Sequence, residues 1–513
     1  MLKRTMFGAR KQDITYFTSK TMDQSVDELL NYSAALPWAP IKNYASTAPA
    51  GDLDNNLKMG DVWVDTHTAN SDVQASRRHS FRLWYMGVII NQDRNIREKM
   101  TLFWHNHFST EANVVANARF VYKHHSLLRS NALGNVKQLV KAVTLDPAML
   151  AYLNGHLNSK EAPDENYSRE LQELFTLGKE NNPNYSEEDV RAAAKVLTGW
   201  RYDYNTATSF FDPAAHDTSN KTFSSFYNGT VITGRSGPDA GEQELNALLE
   251  MIFAKKEQVS EYIVKKIYRW YLFHNVTTQI ENDVIKPLAQ LLVDSNWEIK
   301  PVMKAFLSSA HFYDANFIGC QLKSPLDFVV GFLRECNVKF PDEGNLVATY
   351  EHWNDFRRQS ELMLQQPGDP PDVSGWKAYY QKPFYYEFWI NSDTYPRRLT
   401  FTDEMVDYGY MTAGKAVVMD RVAFLKTLNN PSDPNQLIDE LTELWFRTSI
   451  SKEAKDQIKK DILLEGQTSD YYWTEFWVAY LSNPTDTVLK NMMDTRLVGL
   501  FKYLMRLAEY QLM

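Results

Sequence analysis

The stretch "NIREKMTLFWHNHF", from Asn95 to Phe108, decides how the rest of the chain is read. Ile96, Met100, Phe103, Trp104 and His107 recur at the spacing of one face of an amphipathic helix. His107 is therefore expected to point inward with the apolar set. If the helix continues, His105 sits about 200° away from it. A helical H-x-H cannot grip a single ion, whereas an extended one can, because alternate residues then share a face. Metal ligation by His105 and His107 thus requires the helix to end before His105. The competing reading, which we favour, is a pair of core histidines bonded to backbone or carboxylate groups.

Two further segments extend the pattern: "DPAMLAYLNGHLNSKEAPDENYSRELQELFTLG" from Asp146 to Gly178 and "YSEEDVRAAAKVLTGW" from Tyr185 to Trp200. Asp146 followed by Pro147 reads as a helix cap and first turn. Ser186 with Asp189 reads as a capping box. Between them, Asn158 belongs to a loop crowded with polar residues. Asp164 caps a helix running through Leu177, with Tyr167, Leu171 and Leu174 on its buried stripe. Asn166, Glu170 and Glu173 line that helix's flank. Two carboxylates three residues apart repel unless a cation lies between them. That cation is a metal or one of Arg169, Arg191, Lys195 and Arg201, and an Arg–carboxylate network is the favoured reading.

The motifs "LFWHNHF", "DPAMLAYL", "NYSRELQELFTLG" and "LTGW", in this order, resemble the large bacterial family catalogued as domain of unknown function 1800. The resemblance covers nearly the whole chain and implies a helical fold. Its Glu-rich motif matches at Asn166, Tyr167, Arg169, Glu170 and Leu174. The segment "HDTSNKTF" resembles the family's His-Asp-x-Gly-x-Lys motif through His216, Asp217 and Lys221, with Ser219 at the usual glycine. A His, an acid and a Lys on one loop suit anion binding or acid/base chemistry. The alternative, a loop pinned to the core, weighs about equally. "PPDVSGW" resembles the family's PPNVxGW motif through Pro370, Pro371, Val373, Gly375 and Trp376, with Asp372 at the common asparagine. The start "MLKRTMFG" is similar to the family's usual opening, and members are often exported. The resemblance also implies a genomic neighbour that looks like a sulfatase or phosphatase, hence an accessory role.

Working outward, residues 12–31 read as a helix and 32–75 as a long ordered loop. Residues 117–144 read as two helices, with His124 and His125 on diverging faces, at the surface or half-buried rather than ligands. Helical periodicity resumes from Glu242 to Phe273 and again from Arg397 to the end. β signals appear only near Trp63–Val64 and Thr222–Thr233. The expected fold is mainly α: one large multi-helical domain with long ordered loops and at most a small β-hairpin. Its parts are an N-terminal helical region (1–205), a polar loop or hairpin (206–240) and a C-terminal helical region (241–513) with an aromatic loop at 367–396.

With 513 residues, 44% of them hydrophobic, the chain can bury a large core. A net charge of -9 argues against general nucleic-acid binding. No apolar run reaches the length of a membrane span. The two cysteines, Cys320 and Cys336, leave one bridge open and fix no compartment, so the location is exported or periplasmic if a leader was trimmed and cytoplasmic otherwise. Thirteen Trp, 28 Tyr and 27 Phe supply either a rich core or stacking surfaces. No nucleophile elbow, Walker loop or dinucleotide fingerprint is present.

Three functions survive: a binding or accessory factor of the cell envelope, a metal- or carboxylate-assisted hydrolase, and a structural assembly component. The first is favoured. The hydrolase would rest on Glu170, Glu173, His216, Asp217 and Lys221, with room for a divalent cation at His105 and His107. A small polar ligand or glycan would meet Asn158, Asn166, Arg169, Trp200, Trp376, Tyr379 and Tyr380.

Overall fold

A computed structural model describes residues 1–33, 37–178, 185–342, 344–412 and 414–513. The architecture is helical, with three two-stranded antiparallel hairpins among these residues. The main helices are α1 (Ser71–Ile90), α2 (Arg97–His107), α3 (Ala118–Ser130), α4 (Pro147–Tyr152) and α5 (Asn166–Glu170), followed by α6 (Glu187–Val196), α7 (Ala240–Phe253), α8 (Lys256–Tyr271) and α9 (Pro325–Glu335), and then α10 (Leu346–Leu362), α11 (Thr394–Asp407), α12 (Pro434–Trp445), α13 (Tyr471–Ser482) and α14 (Thr487–Arg506). No described helix is long and apolar enough to cross a membrane.

One hydrophobic cluster runs from Phe7 to Tyr510 and includes residues from all three sequence regions. Helices α1, α2, α3 and α4 form its N-terminal part, α3 packing against the other three. α1 also packs on α10, so the C-terminal half shares the same core. Gly87 of α1 makes this approach close: a Cβ there would lie 2.4 Å from the Trp353 ring.

Local signals placed most helix ends. Asp146 accepts from Met149 N at 3.2 Å, with Pro147 in the first turn. Ser186 and Asp189 form the reciprocal capping box. Elsewhere the sequence was too generous. The single helix expected over 12–31 is two, Lys11–Thr18 and Met22–Leu29, because Thr21 caps a new start. The periodic run from Glu242 to Phe273 is likewise divided into α7 and α8. The helix through Leu177 stops being α after Glu170 and continues as a π-helical segment, Leu171–Thr176.

The strands exceed the one small hairpin expected. β1 (Trp200–Asp203) pairs β2 (Thr208–Phe211), β3 (Lys221–Thr222) pairs β4 (Val231–Ile232), and β5 (Tyr410–Thr412) pairs β6 (Lys415–Val417). β3 and β4 fall where the β-branched signal lay. Near Trp63 there is only an isolated bridge, Ile41 to Val62. β5 and β6 lie in a region expected to be helical.

Candidate functional site

α2 is helical through His107, and every residue from Arg97 to His107 is buried. The extended geometry that an H-x-H chelate needs is therefore not adopted. His107 donates from Nε2 to Phe175 O at 3.1 Å, and Lys266 Nζ donates to its Nδ1 at 3.1 Å. Burial, reinforced by the Lys266 charge, holds its pKa well below the usual imidazole value. His105 faces elsewhere, its ring 5.6 Å from that of His124. Burial first, then His124, pushes its pKa down to about 3.

His124 and His125 are both buried, contrary to the surface or half-buried position expected from their adjacency. α3 has helices against more than one of its faces, so diverging side chains both find cover. His124 bridges Asp146 Oδ2 (2.9 Å) and Phe108 O (3.0 Å). His125 lies among the rings of Phe81, Trp84 and Tyr85, and neither of its nitrogens has a hydrogen-bond partner. Among the described residues, no group of three or more His, Cys, Asp or Glu could hold a metal ion.

The Glu-rich helix is anchored by its neighbours. Tyr167 Oη donates to Thr144 Oγ1 at 2.8 Å, and Ser168 Oγ to Val190 O of α6 at 3.0 Å. Arg169 makes a two-armed pair with Glu187 at 2.8 and 2.6 Å and reaches Glu165 at 3.2 Å. The arginine expected between carboxylates thus serves Glu187 and Glu165. Glu170 is half-buried on α5, and Glu173 is buried within the π-helical segment; both are engaged in further interactions. Asn166 is exposed and donates weakly to Leu153 O at 3.4 Å. Asn158 is buried, donating to Ala194 O at 2.9 Å and accepting from Asp164 N at 3.0 Å. Its carbonyl also accepts from Gly199 N and Arg201 Nη1.

The His216 loop closes onto α6 and α7. Gly199, in the left-handed region at φ 91°, lets the chain turn beside the loop; a Cβ there would meet Asp212 O at 2.7 Å. Nδ1 of His216 lies 2.9 Å from Thr198 O, and its Nε2 lies 3.2 Å from Glu244 Oε1, within ion-pairing range though out of line for a hydrogen bond. Lys221 donates to Glu244 Oε2 at 2.6 Å and to the Asp217 carbonyl. Arg235 N donates to Glu244 Oε1 at 2.7 Å. Burial would raise the Glu244 pKa, but His216 and Lys221 outweigh it and the carboxyl is held below its usual range. Asp217 is half-buried and spends Oδ1 on the backbone and hydroxyl of Ser219.

Sequence reasoning missed Glu244. Its signal was a charged residue on the buried face of α7, in phase with Leu245, Leu248 and Ile252. A fully buried carboxylate demands partners, and His216 and Lys221 are those partners.

The aromatic loop mostly covers the core. Trp376, Tyr385 and Trp389 are buried, and Tyr379 stacks on Trp270 with centroids 4.0 Å apart. Tyr380 Oη donates to Asp372 at 3.2 Å. Trp376 N donates to Asn106 Oδ1 at 2.9 Å, so the aromatic loop is tied directly to α2. Trp200 is buried against Phe211, with no hydrogen-bond partner on its indole nitrogen.

The candidate motifs therefore touch in series. α2 meets the π-helical segment at His107 and Phe175, α5 before it meets α6 at Ser168 and Val190, and the turn after α6 meets the His216 loop at Thr198. No contact joins His105 or His107 to His216. A cleft of about 450 Å³ lies away from all of these residues, between residues 1–14, the 312–319 segment and the end of α12.

A family model described as "Protein of unknown function (DUF1800)" matches residues 1–512. No curated protein and no solved structure matches the chain.

Proposed function

The chain belongs to the DUF1800 family, and on that premise we propose that it is a binding or accessory factor of the cell envelope or exported space. In this reading it recognises a ligand or partner and does not turn one over. The observation that supports it is how His216, Asp217 and Lys221 are spent. His216 and Lys221 are buried against Glu244 and backbone carbonyls, and Asp217 Oδ1 is occupied by Ser219. A general acid or base must reach the proton it transfers, directly or through one water. A side chain enclosed and bonded in this way holds a loop in place.

The envelope location rests on the resemblance of the opening residues. The neighbouring sulfatase- or phosphatase-like protein is the partner that resemblance suggests.

A second reading, the carboxylate-assisted hydrolase, draws on Glu170 and Glu173 flanking the change from α to π geometry. Single π turns recur at functional sites. The two readings separate in one assay series. The purified full chain is offered chromogenic ester, phosphate, sulfate and glycoside substrates, with and without a chelator. We expect no turnover above that of a heat-inactivated control. A rate that falls at least 100-fold in folded Glu170→Gln or Glu173→Gln would overturn the binding reading in favour of the hydrolase.

A further inference from the structure

The cleft beside α12 carries a charge imbalance that the fold leaves unresolved. Four basic side chains face it: Lys3, Arg4, Lys11 and Arg447. Two have their own carboxylates, Lys3 with Glu335 at 2.8 Å and Lys11 with Glu440. Glu440 also accepts from Asn429 N at 2.8 Å, so its second oxygen is taken. The remaining acid on the wall, Glu443, is exposed to solvent.

Arg4 and Arg447 have no carboxylate partner among the described residues. Arg4 donates to Phe317 O and lies 3.7 Å from Cys320 Sγ. Arg447 donates from Nη2 to Glu443 O (3.2 Å) and Leu444 O (3.0 Å), while its Nε is buried with no partner. Burial lowers the pKa of both guanidinium groups; at Arg447 the Glu335 carboxylate opposes that effect without contacting the guanidinium, and Arg4 adds to it. Guanidinium groups held out of water with no carboxylate in contact are costly, and an anion between them would relieve that cost.

The rest of the wall is apolar, with Leu2, Ile14, Phe312, Ile318 and Met513. The volume lies in the range of small-molecule sites. Two guanidinium groups without contacting carboxylates on the wall of a cleft that is otherwise partly apolar match an anionic head on a hydrocarbon body.

We propose that this cleft binds an organic anion, a carboxylate or phosphate head on a short apolar chain, with Arg4 and Arg447 at the head and Phe312 and Ile318 along the chain. The proposal names a ligand class for the recognition role above and rests on that role.

The test is calorimetric titration of the full chain with sodium octanoate, octyl phosphate, octanol and inorganic phosphate. Both octyl anions should bind at least tenfold tighter than octanol or inorganic phosphate. Arg447→Met should weaken octanoate about tenfold or more by removing a charge-assisted donor. Ile318 is half-exposed, so Ile318→Trp should fill the cleft and block octanoate while leaving the fold intact. Equal binding of octanol would remove the charged half of the proposal, and equal binding of inorganic phosphate the apolar half. Octanoate binding unchanged in both variants, or none to the wild type, would overturn it. If octanoate binds while the substrate panel shows Glu170-dependent turnover, the accessory role fails and the cleft stands. If neither binding nor turnover occurs, the cleft assignment fails alone.

Discussion

Asn106 Oδ1 accepts a hydrogen bond from the backbone N–H of Trp376 at 2.9 Å, across 270 residues of sequence. Gly375 makes the approach possible: its φ is 85°, and a Cβ would lie 2.3 Å from the same oxygen. One side-chain atom on α2 thus fixes where the aromatic lid begins.

Asn106→Ala should leave the buried Trp376 N–H unpaired and destabilise the protein by about 1–3 kcal/mol. Gly375→Ala should cost at least as much, because it adds backbone strain to a clash. Urea midpoints of the two variants check this. A Gly375→Ala midpoint equal to wild type would show that the lid does not need the contact.

Glu244→Gln should be more damaging, by about 3–5 kcal/mol, because Lys221 is left buried without its counter-charge and His216 loses the carboxylate beside it. Adding Lys221→Met should recover part of the loss, since the orphaned charge is then gone. Denaturation of the single and double variants decides it, and a double variant no more stable than the single one would refute the pin.

Acid should weaken the fold in a window set by the buried histidines. The pKa of His105 is lowered from 6.5 to about 3, and those of His107 and His125 are lowered well below 6.5. Between these folded values and about 6.5 the unfolded chain binds protons that the native state refuses. Stability should therefore fall as pH drops from 6.5 toward 3, by about 1.36 kcal/mol per pH unit for each such histidine. His125→Phe should leave stability at pH 7 unchanged or higher, since no hydrogen bond is lost, and should flatten the acid limb. An acid limb as steep as that of wild type would count against His125 as a refused proton.

Cys320 and Cys336 are unpaired. Burial raises both thiol pKa values, well above the usual thiol range for Cys336. A thiol reagent should titrate two groups in denaturant but react with Cys336 in the native protein only at the rate of opening. Fast native reaction of both thiols would contradict the burial of Cys336.

Much of the fold was legible in the chain because its signals are local. Asp146 with Pro147 and Ser186 with Asp189 specify helix starts within three residues. The periodicity around Trp104 specified a helix that the structure extends through His107. What could not be read depends on which neighbour arrives from afar. His124 and His125 read as surface or half-buried because adjacent residues diverge, yet α3 packs against α1, α2 and α4 and both are buried. The division of 12–31 rests on one threonine cap, a weak cue beside strong periodicity.

The candidate site was legible as residue types but not as partners. His216 and Lys221 were named, whereas Glu244, to which both are bound, lay inside a run that read as ordinary helix. Asn106 reads in the sequence as the residue that would let the helix end before His105, whereas it holds the aromatic loop. The basic cleft was invisible because its walls come from residues 1–14, 312–319 and 440–447. No window of sequence contains them together.

Lys3 donates to Leu444 O and pairs with Glu335, and Gly8 lies so close to Gly331 that a Cβ would touch its Cα at 2.6 Å. A growing polypeptide emerges in one direction, so residues 3–8 leave the ribosome long before residues 331–444, their docking surface, are made. At roughly 5–20 residues per second, that interval is about 20–90 s. For that time Lys3 and Arg4 lack the distant partners that bury them in the folded chain. Closure of the molecule is thus timed by translation of α12.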